Sequence, residues 1–305
     1  MNPIDEVAVS TAAFPRLPIE QVLRGYVDAG ITRAELSGGL HDPDMLTTLR
    51  RCRRFISLTL HNYFPVPVEP FVLNLASGDA TVRRRSIDHV RTALRWSSEL
   101  GSDVYAVHAG FLFDPDPSQL GKPIDPAALS PRDEAIDRFV ESVGILAAQS
   151  DRSGVRLLIE NNVLSAANYR NFGGNPFLMA EAEEIRAVLG RIGSNVGLLM
   201  DVGHLWVTAA SLGLDAAEQL RWCDDLIGGY HFSENDGSAD TNQPLSVGGW
   251  YRPLLRNRVA YRVVEVYGSE MSELSRQREL VVRSGLSSMT KSDPVVADPP
   301  EPETS

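Results

Sequence analysis

At six positions in this chain a short apolar run stops abruptly at an imidazole or a carboxylate: His61, His108, Glu160, Asp201, His231 and Glu265. The sharpest case is Leu198-Leu199-Met200-Asp201-Val202-Gly203-His204, where apolar residues lead straight into Asp, Gly and His. Carboxylates and imidazoles move protons near neutral pH and hold divalent cations. Glu160, Asp201, His231 and Glu265 together offer oxygen donors and one imidazole, a set that suits Mn²⁺, Mg²⁺, Co²⁺ or Zn²⁺ without choosing among them. Each residue alone has a plainer use. Asp201 could cap the helix that follows, Glu160 could be a surface acid, Glu265 could join a salt bridge, and His61 could face solvent. Three carboxylates buried together without a cation would repel one another and lose hydration, so a shared site favours an ion.

What must position these groups is a series of short strands. Apolar runs at 7–9, 31–36, 55–60, 104–107, 155–159, 198–201, 226–232 and 262–264 read as buried parallel strands. Helical patterns fall between them, at about 18–29, 43–53, 79–100, 131–153, 179–189 and 212–223, with a last one at 272–284. Pro18 and Gly30 bracket the first, and Ser130-Pro131 looks like an N-cap followed by proline at the first helical position. Eight strands alternating with helices predict an α/β fold of the (β/α)8 (TIM) barrel type, a single domain over residues 1–286. No glycine-rich phosphate loop follows the first strand, which weakens the alternative of an open doubly wound sheet. In a barrel the strand ends converge on one mouth, so residues 40 to 50 apart become neighbours. His204 is expected one step into the loop after strand six. Residues 287–305, rich in Pro, Glu, Asp and Ser, predict a disordered tail.

The totals exclude several classes. With 29 basic and 40 acidic side chains the formal charge is −11, which does not favour a nucleic-acid partner or an anionic membrane surface. No apolar run approaches a membrane span, and no secretory signal is visible. Cys52 and Cys223 fit no metal-type spacing and read as reduced core residues of a cytoplasmic protein.

The segments Leu158-Ile159-Glu160-Asn161, Met200-Asp201-Val202-Gly203-His204, Tyr230-His231-Phe232 and Val264-Glu265-Val266 resemble the xylose isomerase-like superfamily. That superfamily holds sugar (phosphate) isomerases and epimerases and the endonuclease IV type of apurinic-site nuclease. The resemblance to the ketose epimerase branch implies a metal held by Glu160, Asp201, His231 and Glu265, with Glu160 and Glu265 as the acid/base pair and His204 polarising the oxyanion. That branch places an arginine just after the acidic loop of the His strand, where this chain has Asp236-Gly237-Ser238. The resemblance to the nuclease branch implies further metal ligands at His61, His108, His204 and Asp240. Its final Asp-x-His is Asp240-Thr241-Asn242 here. His61, His108 and Asp240 are therefore expected at a second metal or at the substrate. Phe64, Phe111, Trp206 and Trp250 either wall the pocket or pack loops onto the barrel rim.

The expectation is a metal-dependent isomerase or epimerase acting on a small carbohydrate-like molecule by proton transfer next to a carbonyl. Two alternatives stay open: a metal-dependent phosphodiesterase, and a metal-binding barrel without catalysis. The resemblance also leaves open a homo-oligomer.

Overall fold

In the computed structural model, which describes residues 3–119, 123–255 and 259–286, eight parallel strands close into a barrel in sequence order. They are β1 (Val7–Ser10), β2 (Arg33–Leu36), β3 (Ser57–His61), β4 (Val104–His108), β5 (Arg156–Glu160), β6 (Val196–Asp201), β7 (Ile227–Phe232) and β8 (Tyr261–Val264). β8 returns to pair with β1, Val7 beside Arg262 and Val9 beside Val264, so the sheet has no open edge. The expected (β/α)8 barrel is the fold. The expected tail at 287–305 lies outside the described residues. Among the described residues no helix is long and apolar enough to cross a membrane.

The connecting helices are α1 (Ile19–Asp28), α2 (Met45–Cys52), α3 (Ala80–Leu100), α4 (Arg132–Ser153), α5 (Ala166–Phe172), α6 (Ala182–Ile192), α7 (Val202–Leu212), α8 (Ala216–Trp222) and α9 (Met271–Leu286). Their ends follow local chemistry. The Asp79 side chain accepts from Thr81 N and Val82 N to start α3, and Gly101 in the left-handed conformation closes it. Three expectations shift, and α5 was not expected. α4 begins at Arg132 because Pro131, still extended, takes the cap position expected of Ser130. The helix expected at 212–223 begins only under an Asp215 cap, as α8, because α7, outside the expected helices, fills Val202–Leu212 and ends at Gly213 with φ 71°. α6 starts three residues later than Met179, which sits at φ 54° with its N–H donated to Glu184 Oε1. α5, held by a Ser165 cap, is too short for periodicity to reveal.

Strand alternation decides which residues reach the barrel's interior. Val7 and Val9 pack outward against the helices, while Ala8 joins Val104, Ala106, Leu158, Leu199, Tyr261 and Val263 in a separate inner cluster. The same inward phase runs on to His61 from Thr59, to His108 from Ala106, to Glu160 from Leu158, to Asp201 from Leu199 and to Glu265 from Val263. β7 is the exception. Leu198 pairs with Ile227 but Leu199 pairs with Gly229, so Gly228 is an extra residue. Simple alternation from the outward Ile227 would point His231 at the helices; the bulge turns it inward.

The barrel floor is built to hold Tyr261. A Cβ on Gly229 would lie 2.6 Å from Tyr261 Cδ1 and 3.0 Å from Leu158 Cδ1. Gly229→Ala is therefore expected to lower stability by roughly 1–3 kcal/mol through overpacking. Gly144→Ala, on an exposed stretch of α4 with open space around it, is expected to raise stability by about 0.5–1 kcal/mol. Thermal unfolding of the two variants beside the parent checks both signs.

Candidate metal centre and active site

Glu160, at the end of β5, is the hub of the mouth and is fully buried. Its Oε2 lies 2.7 Å from His61 Nε2 and 3.0 Å from His108 Nε2. Its Oε1 lies 3.3 Å from His231 Nδ1 and 3.7 Å from His204 Nδ1. The residue next in sequence, Asn161, stitches β5 to the following strand: its Oδ1 accepts from Asp201 N at 2.8 Å and its amide donates to the Asp201 carbonyl at 3.2 Å.

Asp201 does two jobs. Oδ1 caps α7 by accepting from His204 N at 2.7 Å, so the helix starts directly after the strand and His204 stands in its first turn rather than in a loop. Oδ2 is left facing the mouth. His204 turns Nδ1 to the Asn161 carbonyl at 2.9 Å and presents Nε2 to Asp240 Oδ2 at 3.3 Å. Glu265 follows β8, its N–H donated to the Phe232 carbonyl, with Oε2 2.8 Å from His231 Nδ1. The Tyr267 hydroxyl donates to Glu265 Oε1 at 3.3 Å.

The structure thus brings Glu160, Asp201, His231 and Glu265 together, each offering a ligand atom within 4.8 Å of the others. His61, His108 and Glu160 form a second group of the same compactness. Donors about 2.0–2.2 Å from one ion fit that span. A more telling sign is that Glu160 Oε1, Asp201 Oδ2 and His231 Nδ1 are buried and complete no hydrogen bond. Buried polar atoms are nearly always satisfied, and three orphans converging from three strands are what a cation would satisfy. The donor set therefore fits a divalent metal.

Charge points the same way. Burial works against ionising Glu160, yet His108, His61 and His231 hold its carboxyl well below the usual range. Asp201 goes the other way, pushed up to about 7 by burial and then by Glu160 and Asp240 against the pull of His204. Burial opposes the charged form of His231 and His204, but the surrounding carboxylates raise both well above an ordinary imidazole. Without an ion, protons on the imidazoles neutralise the carboxylates; a divalent cation can take their place.

A cleft of about 260 Å³ opens at the cluster, lined by His108, His204 and Asp240 and by Phe111, Ile124 and Phe177. Of the four aromatics expected there, Phe111 lines it. Phe64 does not: it is fully buried in the core between sheet and helices. Trp206 and Trp250 stack on each other, ring centroids 5.6 Å apart, and are not part of the cleft wall. Where the nuclease pattern has its last His, Asn242 is buried in the left-handed conformation at φ 46°. Cys52 and Cys223 are free and buried.

Sequence reasoning missed Glu35. It lies on β2, fully buried, with Oε2 2.8 Å from His231 Nε2. Burial opposes its ionisation, but His231 and His61 hold its carboxyl down at about 2. The available signal was an acid flanked by Ala34 and Leu36 inside a run otherwise read as apolar strand.

The fold has known counterparts. A D-tagatose 3-epimerase-like protein superposes with a TM-score of 0.69 at 17% identity, over 93% of this chain and 99% of that one. The TTHB071 protein of Thermus thermophilus, soaked with ZnCl₂, gives 0.60 at 22% identity over 91% and 97%. A xylose isomerase-like TIM barrel protein from Mycobacterium smegmatis in complex with magnesium gives 0.66 at 14% identity over 93% and 97%. Identities this low speak for the fold. Sugar epimerases recur among the structural neighbours. No curated protein matches the sequence. Residues 27–259 match the family model of the xylose isomerase-like TIM barrel, and with the closed barrel and its ring of carboxylates and imidazoles in view, the chain belongs to that family.

Proposed function

We propose that this protein is a divalent-metal-dependent isomerase or epimerase that moves a proton at a carbon next to a carbonyl on a sugar, sugar acid or cyclitol. The observation that carries the reading is the convergence of Glu160, Asp201, His231 and Glu265 around donor atoms left without hydrogen bonds. The sugar epimerases among the structural neighbours support it. These four residues would hold the ion. When bound, the ion supplies Lewis acidity that stabilises negative charge on a carbonyl oxygen and lowers the barrier to losing the neighbouring proton.

The rest falls to the chain. Proton transfer at carbon needs a positioned base and a positioned acid. Glu160 and Glu265 stand on β5 and at the end of β8, so their carboxylates reach the mouth from different sides, as removal and return of a proton on two faces of a substrate require. The Tyr267 hydroxyl orients Glu265 from behind. His204 is fixed through Nδ1 on the Asn161 carbonyl and holds Nε2 toward Asp240 at the cleft wall, where a substrate oxygen would share or replace that carboxylate. Asn62, Asn162, Ser165 and Asn168 line the same cleft and can meet hydroxyl groups, while Phe111 and Phe177 can cover a carbon skeleton.

The group of His61, His108 and Glu160 favours a second reading, a phosphodiesterase with more than one ion. Weighing against it are the formal charge of −11 and a cleft wall without Lys or Arg among the described residues.

Elemental analysis of purified protein is expected to return about one tightly held divalent ion per chain; two or three would favour the phosphodiesterase. In deuterated water, at saturating metal and with a panel of ketoses and their acids, the parent is expected to place deuterium on carbon. Glu265→Gln should slow that exchange by about 10²–10⁴-fold. Undiminished exchange in this variant would remove Glu265 from the acid/base pair.

A further inference from the structure

Beneath the quartet lies a carboxylate that the proposed chemistry leaves unused. Glu35 turns into the barrel while its neighbours Ala34 and Leu36 pack outward against the helices. Its Oε2 accepts from His231 Nε2 at 2.8 Å and from the Tyr261 hydroxyl at 2.5 Å. Its Oε1 accepts from the Ser37 hydroxyl at 2.8 Å, and Ser37 is tied in turn to the Ser10 hydroxyl at 2.7 Å. The Tyr261 ring occupies the space that Gly229 leaves open. Residues on β2, β7 and β8, with Ser37 just beyond β2 and Ser10 of β1 behind it, thus converge on one carboxylate that hydrogen-bonds one edge of the His231 imidazole, with His61 Nδ1 farther off at 3.9 Å from Oε1.

An imidazole has two nitrogens, and the partner of one decides what the other can do. With Nε2–H donated to Glu35, the free lone pair of neutral His231 is on Nδ1. That nitrogen faces Glu160, Asp201 and Glu265, at 3.3, 3.8 and 2.8 Å. A carboxylate behind a metal-ligating histidine fixes its tautomer and ring orientation and makes it a stronger donor. We infer that Glu35 is a positioning residue for the cation site: it selects the tautomer of His231 that binds through Nδ1 and holds the ring there, with Tyr261 and Ser37 holding Glu35. The inference rests on the metal-binding reading above.

Glu35, His61 and His231 also offer atoms within 4.8 Å of one another, as an ion site of their own would. The contacts favour positioning. Glu35 Oε2 already accepts two hydrogen bonds, from His231 Nε2 and from the Tyr261 hydroxyl, whereas His231 Nδ1 completes none.

The test is a calorimetric titration with Mn²⁺ and the visible spectrum of Co²⁺-loaded protein, on the parent, Glu35→Gln and Tyr261→Phe, with thermal melting of each metal-free chain. Glu35→Gln is expected to melt cooperatively, bind Mn²⁺ with unchanged stoichiometry but about 10–100-fold more weakly, and show shifted Co²⁺ bands. Tyr261→Phe is expected to show a smaller loss in the same direction. Parental Mn²⁺ affinity and an unshifted Co²⁺ spectrum in folded Glu35→Gln would overturn the assignment, as would the loss of one whole ion with the others unaffected. If Glu35→Gln does not fold, parental affinity in Tyr261→Phe overturns it. A parent that binds no Mn²⁺ would overturn the metal reading and this assignment with it.

Discussion

The constraint on which the rest depends is the cost of gathering ionisable groups where water does not reach. Glu35, Glu160, Asp201 and His231 are fully buried, and His61, His204 and Glu265 nearly so. Uncompensated charge in such a place is expensive, and removing one partner of a buried pair leaves the other stranded. Each carboxylate must therefore be neutralised by a proton, an imidazolium or a cation. Hydrogen bonds satisfy some of the oxygens: Asp201 Oδ1 on the α7 amide, and both oxygens of Glu35. Glu160 Oε1, Asp201 Oδ2 and His231 Nδ1 are left over and converge from three strands. A protein that binds an ion there is stabilised by it through mass action, so folding and metal binding are one linked equilibrium.

The barrel meets this constraint with modest means. Inward phase carries mainly small, aliphatic or aromatic residues through the barrel and a chemically able one at the carboxyl end, so the reactive groups share one layer. Two local departures make the layer work. The Gly228 bulge re-phases β7 so that His231 faces inward, and Gly229 opens room for Tyr261 beneath it. Asp201 ends a strand and begins a helix in the same residue, which fixes its side chain from both directions.

Much of this was legible in the sequence. Abrupt ends of apolar runs mark strand termini, and in a parallel barrel those termini form the mouth, so Glu160, Asp201, His231, Glu265, His61 and His108 could be grouped before any geometry was known. What was not legible depends on contacts between distant segments. Glu35 lies one residue before its strand ends and is separated by 196 positions from the histidine it holds. Phe64 and Trp250 sit in loops that periodicity does not describe, and Trp206 on α7 meets its partner from such a loop: the first is drawn into the core and the other two onto each other. The bulge in β7 is written as two consecutive glycines, a cue that alone does not say which face the next histidine will take. Gly213 ends α7 in the left-handed conformation and Asp215 caps α8, local signals that the helix expected at 212–223 ran across.

The most direct measurement is anomalous diffraction at the manganese edge from crystals grown with Mn²⁺. The account predicts a peak in the space between Glu160, Asp201, His231 and Glu265, about 2.0–2.4 Å from each ligand atom, with His231 bound through Nδ1. Absence of a peak there, or density only at another place on the molecule, would contradict it.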